Sequence, residues 1–379
     1  MWRVPLADVR LSPQDIRAVV DTYRSGWLSM GPRTEELENA FAGYVGAKHA
    51  FAVANGTAAL HLACVACGLE PGDRVVAPSM TFVATVNAIA YTGAEPAFAD
   101  IAGLTRPWLD RAAADSAIDA KTRAMMVMTY GGHPGKLPDL TALAKSRKLT
   151  LIEDAAHGLG TRVNGRHVGT FGTVGAFSLF SNKNLPVGEG GMMVTDDDDV
   201  AQRIRLLRSH GMTTLTWDRH RGHASGYDVV ELGFNYRLDE PRAALALARL
   251  SRLDDDNAAR RDIVARYREA LAGVEGFSLL DPAAPDVVDA SHLFAIVLDP
   301  DVDRDEFRRS LADEGVQTSV HYPPVHRFSI YHHLGASLPV TENYAARTVT
   351  LPLFPHMTRT QFGHVVKNLP LALRAARGR

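Results

Sequence analysis

The feature that most constrains this chain is a repeated alternation between His49 and Asp196. Short apolar runs end in small or polar residues, and most hand over to a helix-forming segment. The runs are HAFAVA (49–54), RVVAPS (74–79), EPAFAD (95–100), AMMVMTY (124–130), LTLIEDAA (149–156), GAFSLF (175–180) and GGMMVTD (190–196). Runs that are apolar throughout suit strands buried on both faces, and strands that alternate with helices suit a mostly parallel sheet. The expectation is an α/β fold, a mostly parallel seven-stranded sheet lying between helices. Ligands of such sheets sit beyond the carboxyl ends of the strands, so the residues just after each run are the ones that matter.

Near residue 240 the pattern changes. PRAALALARLSRLDDDNAARRDIVARYREAL reads as one long helix with an apolar and a basic face. Beyond it, HLFAIVLD, RDEFRRSLADEG, VQTSVHYPP and TVTLPLF read as a smaller unit of strands and helices. The expected division is a large α/β domain over 1–245, N-terminal arm included, and a small C-terminal α+β domain over 246–379, bridged by the long helix.

Composition excludes several classes. A chain of 379 residues is too long for one small core. Its net charge of -2 gives no reason to expect nucleic acid or an anionic membrane as partner. The richest apolar stretch, 50–68, is broken by Asn55, Gly56, Thr57 and His61, so no membrane span is expected. The N-terminus carries no secretory pattern, and a cytoplasmic location is the expectation. Cys64 and Cys67 form a C-x-x-C within the apolar AALHLACVACGL, with no second pair to complete a zinc site, which favours core packing. The acidic run at 196–199 closes a strand and opens a helix, and no metal is expected.

Four strand ends carry polar chemistry. NGTAAL (55–60) brings a glycine, a hydroxyl and free amides to a helix start, which suits either an ordinary capped turn or an anion. In IEDAAH (152–157), Asp154 follows a very apolar strand; it caps a helix or meets a positive partner there. In FSLFSNKNLPVGEGG (177–191), Lys183 is a loop lysine or, held neutral by its surroundings, a nucleophile. ELGFNYR (231–237) offers Asn235 and Arg237 on a loop. Taken together, an anion cradle, a carboxylate for a ring nitrogen and an imine-forming lysine are the three needs of pyridoxal phosphate. Their order fits as well, with Lys183 following Asp154 by 29 residues.

These segments, with SGWLSMGPRTEELENAFAGYVGAKHAFAVA, PSMTFVATVNAIAYTGAEPAFAD, LGFNYRLDEPRAAL, GVQTSVHYPPVH and TLPLFPHMT, resemble the DegT/DnrJ/EryC1/StrS family of sugar aminotransferases, fold-type-I pyridoxal phosphate enzymes. The resemblance implies that Lys183 binds the cofactor's aldehyde and then moves the donor's α-proton. It implies that Asp154 pairs with the ring nitrogen, that Phe82 stacks on the ring, and that His157 lies near the phenolic oxygen. The phosphate falls to the Gly56, Thr57 and Ala58 amides, the Thr57 and Ser178 hydroxyls, and Asn235 of a partner subunit, hence a homodimer.

For substrates the resemblance implies an amino donor, L-glutamate or glutamine, and a keto sugar, foremost a nucleotide-linked 4-keto- or 3-keto-6-deoxy sugar. Trp27, Leu28, His321 and Tyr322 match positions that line the acceptor pocket, and Asn182 adjoins the nucleophile. Arg219 and Arg221, in TTLTWDRHRGHASGYDVVE (213–231), suit either a nucleotide diphosphate or a solvated turn. The competing readings are a cyclitol or other natural-product ketone as acceptor, or a non-transaminating relative. Dehydratases of the family replace the lysine by histidine, which Lys183 opposes, and no helix-turn-helix segment points to a regulator.

Overall fold

The computed structural model describes residues 2–214 and 226–377. All seven apolar runs form strands: β1 (His49–Val53), β2 (Arg74–Pro78), β3 (Glu95–Ala99), β4 (Thr122–Met128), β5 (Thr150–Asp154), β6 (Val174–Ser178) and β7 (Gly191–Thr195). They make one sheet in the order β1-β7-β6-β5-β4-β2-β3. Only β7 runs antiparallel to its neighbours, β1 and β6. The other six strands therefore point the same way, and their carboxyl ends share one edge.

Register brings those ends level. Ala176, Asp154 and Met128 are cross-strand partners on β6, β5 and β4. Ser178, Gly191 and Val53 are partners on β6, β7 and β1. A Cβ on Gly191 would lie 2.4 Å from the Asn55 carbonyl oxygen, so only glycine lets the turn after β1 press against this edge.

One helix fixes the chain behind that turn. Gly56–Ala66 is buried along most of its length, and Cys64 lies wholly inside. A helix apolar all round belongs in a core, where it packs on β6 and β7. Burial raises the affinity of both Cys64 and Cys67 for their protons, so the C-x-x-C is inert packing.

The long helix expected after residue 240 is instead two, Glu240–Leu250 and Leu253–Ala270. At the junction Asp15, fully buried, takes charged hydrogen bonds from both Arg249 and Arg252. Three aspartates then fill the first turn of the second helix, where the helix dipole favours them. The expected boundary at 245/246 falls inside the first of these helices, whose Leu245, Ala246 and Leu250 pack in the large unit's core.

The smaller unit is a three-stranded antiparallel sheet of Phe277–Leu279, Phe294–Leu298 and Thr348–Leu351, covered by Leu253–Ala270, Arg304–Asp313 and Arg359–Arg377. The N-terminal segment crosses to it: Val4 is wholly buried in that core and bridges to Val316.

Candidate active site

A cavity of about 470 Å³ opens at the shared carboxyl edge. Strand alternation decides which acid of the Glu153–Asp154 pair faces it. Glu153 points away and accepts two backbone N–H groups, from Gly169 and Gly172, each at 2.6 Å. Burial pushes it up to about 7 even so. Asp154 faces the cavity, where Thr85 Oγ1 donates to it at 2.6 Å and the Ala156 amide at 3.1 Å. Burial raises its proton affinity; those two bonds and the Lys183 charge oppose this without overcoming it. A buried acceptor left short of partners costs about 1–3 kcal/mol, more when charged. Asp154 therefore calls for a cation in the cavity.

Lys183 lies across the same space. Its side chain is partly open to the cavity but enclosed by protein beyond it, and this desolvation lowers it to about 8, against the pull of Asp154. At that value a useful fraction is neutral amine near pH 7. Its neighbour Asn184 is locked. The Nδ2 group donates to Asn257 Oδ1 (2.6 Å) and the Ala290 carbonyl (2.8 Å), and Oδ1 is 2.8 Å from His292 Nδ1. The lysine loop is thereby clamped to the helix and turn that lead into the smaller unit.

His157 is buried and kept neutral: burial, then the Lys183, His292 and His321 charges, hold it well below its ordinary value. The Gly131 amide donates to its Nδ1 at 3.2 Å, which puts the ring proton on Nε2. Nε2 in turn lies 3.0 Å from the Tyr322 hydroxyl, which accepts that proton's bond. The hydroxyl's own hydrogen is left for the cavity. Tyr322 and Phe82 rings stand 5.9 Å apart, and Phe82 is 53% exposed, an open aromatic face on the cavity wall. His321 is held down to about 4 by burial and Lys183, with its Nδ1 2.8 Å from Thr350 Oγ1.

At the other end, Asn55 caps Gly56–Ala66. Its Oδ1 takes the Ala58 N–H at 2.8 Å, and Ala58 lies off the cavity wall. The Ala58 amide, expected at the phosphate, is engaged in this cap. Gly56, Thr57 and Ser178 do line the cavity. A Cβ on Gly56 would meet Ser178 Cβ at 2.9 Å, so only glycine lets this helix start sit against the strand end.

The remaining expected residues divide. Asn182 lines the cavity, and its Oδ1 is buried without a partner. Trp27, Leu28 and Asn235 are not brought to the cavity within one chain. Leu28 and Asn235 are exposed, while Trp27 covers Gly31. Arg219 and Arg221 lie outside the described residues. Sequence reasoning missed Thr85 and Asn184. Each sat beside a residue that it did find, Thr85 in the first turn after Phe82 and Asn184 next to Lys183. It also missed the Asn55 cap, which the N-x-x-A spacing signals.

Amides at a helix start for a dianion, a buried acid wanting a cation, a depressed amine and an open aromatic face together fit pyridoxal phosphate. The DegT/DnrJ/EryC1/StrS aminotransferase family matches residues 10–370. The chain belongs to this family. It is a pyridoxal phosphate-dependent aminotransferase. The aminotransferase is 38% identical over 367 residues to the spore coat polysaccharide biosynthesis protein SpsC of Bacillus subtilis, covering 94% of each chain. Its fold is similar to that of DesV of S. venezuelae, 35% identical with a TM-score of 0.90 over 100% of both chains. It also resembles a Streptococcus pneumoniae sugar aminotransferase solved in its PLP form, 25% identical with a TM-score of 0.91 over 98% of both chains. Among the described residues no helix is long and apolar enough to cross a membrane.

Proposed function

We propose that this aminotransferase moves an amino group from L-glutamate or L-glutamine to the keto carbon of a nucleotide-linked 6-deoxy sugar, at carbon 3 or 4, as a homodimer. The observation that carries the reaction is the pairing of Lys183, lowered to about 8, with the cation-seeking Asp154 across one cavity. Bound pyridoxal phosphate supplies an aldehyde that carries the amino group and a ring that takes up electrons from the substrate carbon.

The chain's residues divide the rest. Gly56 and Thr57 amides and the Thr57 and Ser178 hydroxyls bind the phosphate. Asp154 holds a proton at the ring nitrogen. Lys183 Nζ would hold the aldehyde until the donor's amine displaces it, and as the freed amine would carry the donor's α-proton to the cofactor carbon, a general acid–base role. Phe82 packs on the ring face. Tyr322, oriented by His157, offers its hydroxyl hydrogen to an oxygen within the cavity. In this reading the hydroxyl, rather than the imidazole, is the donor toward the phenolic oxygen. Asn182, Glu189 and His321 supply polar walls suited to sugar hydroxyls.

A half-reaction screen tests the acceptor. The enzyme is loaded with pyridoxamine phosphate, ketones are added, and the absorbance of lysine-bound cofactor is followed. It returns with nucleotide-linked keto sugars. Turnover of a free cyclitol ketone with none of these overturns the assignment. Arg219→Ala and Arg221→Ala raise KM for the nucleotide-linked acceptor and leave the donor half-reaction unchanged. For the dimer, mixing inactive Lys183→Ala and Asn235→Ala subunits restores activity, since hybrids hold one intact site; no restoration removes the shared-site reading.

A further inference from the structure

The lysine loop has a second cavity at its back. About 250 Å³ in volume, it lies between Ser181–Asn184, the N-terminal segment 7–12, and the helices that meet at residues 251–252. The chemistry above uses none of its far wall.

That wall carries three guanidinium groups, Arg249, Arg252 and Arg260. Arg252 is satisfied by Asp15, at 2.8 Å from Nη1 to Oδ1. Arg249 reaches Asp15 at 3.4 Å and the Arg10 carbonyl at 3.1 Å, but its Nε is buried without a partner. Arg260 is the least settled. It is 5% exposed and gives one hydrogen bond, Nη1 to the Leu353 carbonyl at 3.1 Å. Its Nε is also buried and unpartnered, and it forms no ion pair among the described residues.

A guanidinium has five N–H donors, and a buried one demands acceptors and countercharge. The carboxylates on the wall do not meet that need. Asp8 is taken by His356, 2.8 Å away. Asp256 stands 4.0 Å from Arg252 Nε. Burial brings Arg260 down to about 10, with Asp256 opposing and Arg249 reinforcing the shift. Asn182, whose buried Oδ1 lacks a partner, borders this cavity as well as the reaction cavity.

We propose that this cavity is a binding site for a small oxyanion, a carboxylate or phosphate, seated on Arg260 behind the loop that carries Lys183. The ligand's oxygens accept from the free N–H groups of Arg260 and Arg249, as charge-assisted bonds that a neutral molecule would not match. The site is separate from the phosphate cradle at Gly56, which lies on the other cavity.

The test is calorimetric titration of the holoenzyme, its cofactor site filled, with inorganic phosphate and separately with glutarate. One ion binds per chain, more weakly as salt rises. Arg260→Gln weakens binding at least tenfold while the absorbance of bound cofactor is unchanged. Asp256→Asn, which removes a competing charge, tightens it; this arm decides the matter if the Arg260 variant does not fold. Phosphate binding alone assigns a phosphate, glutarate binding alone a carboxylate, and binding of both a general oxyanion site. No binding of either ion, or binding that neither substitution alters, overturns the proposal.

Discussion

The two cavities that share the wall Asn182–Lys183 settle their charges in different ways. In front, Asp154 and Lys183 face each other across 470 Å³, each shifted by burial toward its neutral form. Behind, arginines outnumber the carboxylates able to pair with them, in 250 Å³. Both are incomplete without a ligand, and the sign of what is missing differs. The front wants a ring cation beside Asp154 and an aldehyde for Lys183, whereas the back wants an anion. Burial alone thus does not say what a site binds; the charge left over after internal pairing does.

Substitutions can break this contrast. The largest effect belongs to Lys183→Ala, which removes both the covalent anchor and the proton carrier. Transamination falls by on the order of 10⁴-fold, and the absorbance of lysine-bound cofactor disappears; its survival would refute the role of Lys183. Asp154→Asn keeps the shape and the Thr85 contact but removes the charge. The rate falls by about 10²–10³-fold and cofactor binds more weakly, measured by turnover and by titration. Equal loss from Glu153→Gln would erase the distinction between the two neighbouring acids.

Tyr322→Phe costs about tenfold in rate, the scale of one hydrogen bond. It also shifts the pH at which bound cofactor changes absorbance, and His157→Asn shifts it the same way because that ring acts through the hydroxyl. The smallest effect is on stability. In cofactor-free protein the Lys183 pKa of about 8 lies below the 10.5 of the unfolded chain. The folded state then holds fewer protons between these values, so stability from this group rises with pH across that window. Compared with Lys183→Met, the wild type gains relative stability from pH 8 to 10.5 in chemical denaturation; a flat difference would mean that Lys183 is not desolvated.

How much of this could be read in the sequence follows from where each interaction is encoded. The sheet, its seven strands and the residues after them follow from local apolar runs, so Lys183, Asp154, Gly56 and Ser178 were legible. The chain's resemblance to a known family supplied their roles. Thr85 and Asn184 were not, because what they do depends on partners 69 and 73 residues away. The contacts at the junction of residues 251–252 were hidden for the same reason, since Asp15, which holds Arg249 and Arg252, lies 234 and 237 residues away. The Asn55 cap is local, yet it was not read: Asn55 holds the Ala58 amide three residues on.

Val4, sealed in the smaller unit's core beside Val316, has a consequence for biogenesis. The Leu6 amide is bound by the side chain of Gln317, 311 residues further on. A ribosome delivers this segment long before its seat exists. Residues 4–6 must wait, unplaced, until their partners Val316 and Gln317 have emerged, and a segment made early comes to rest late.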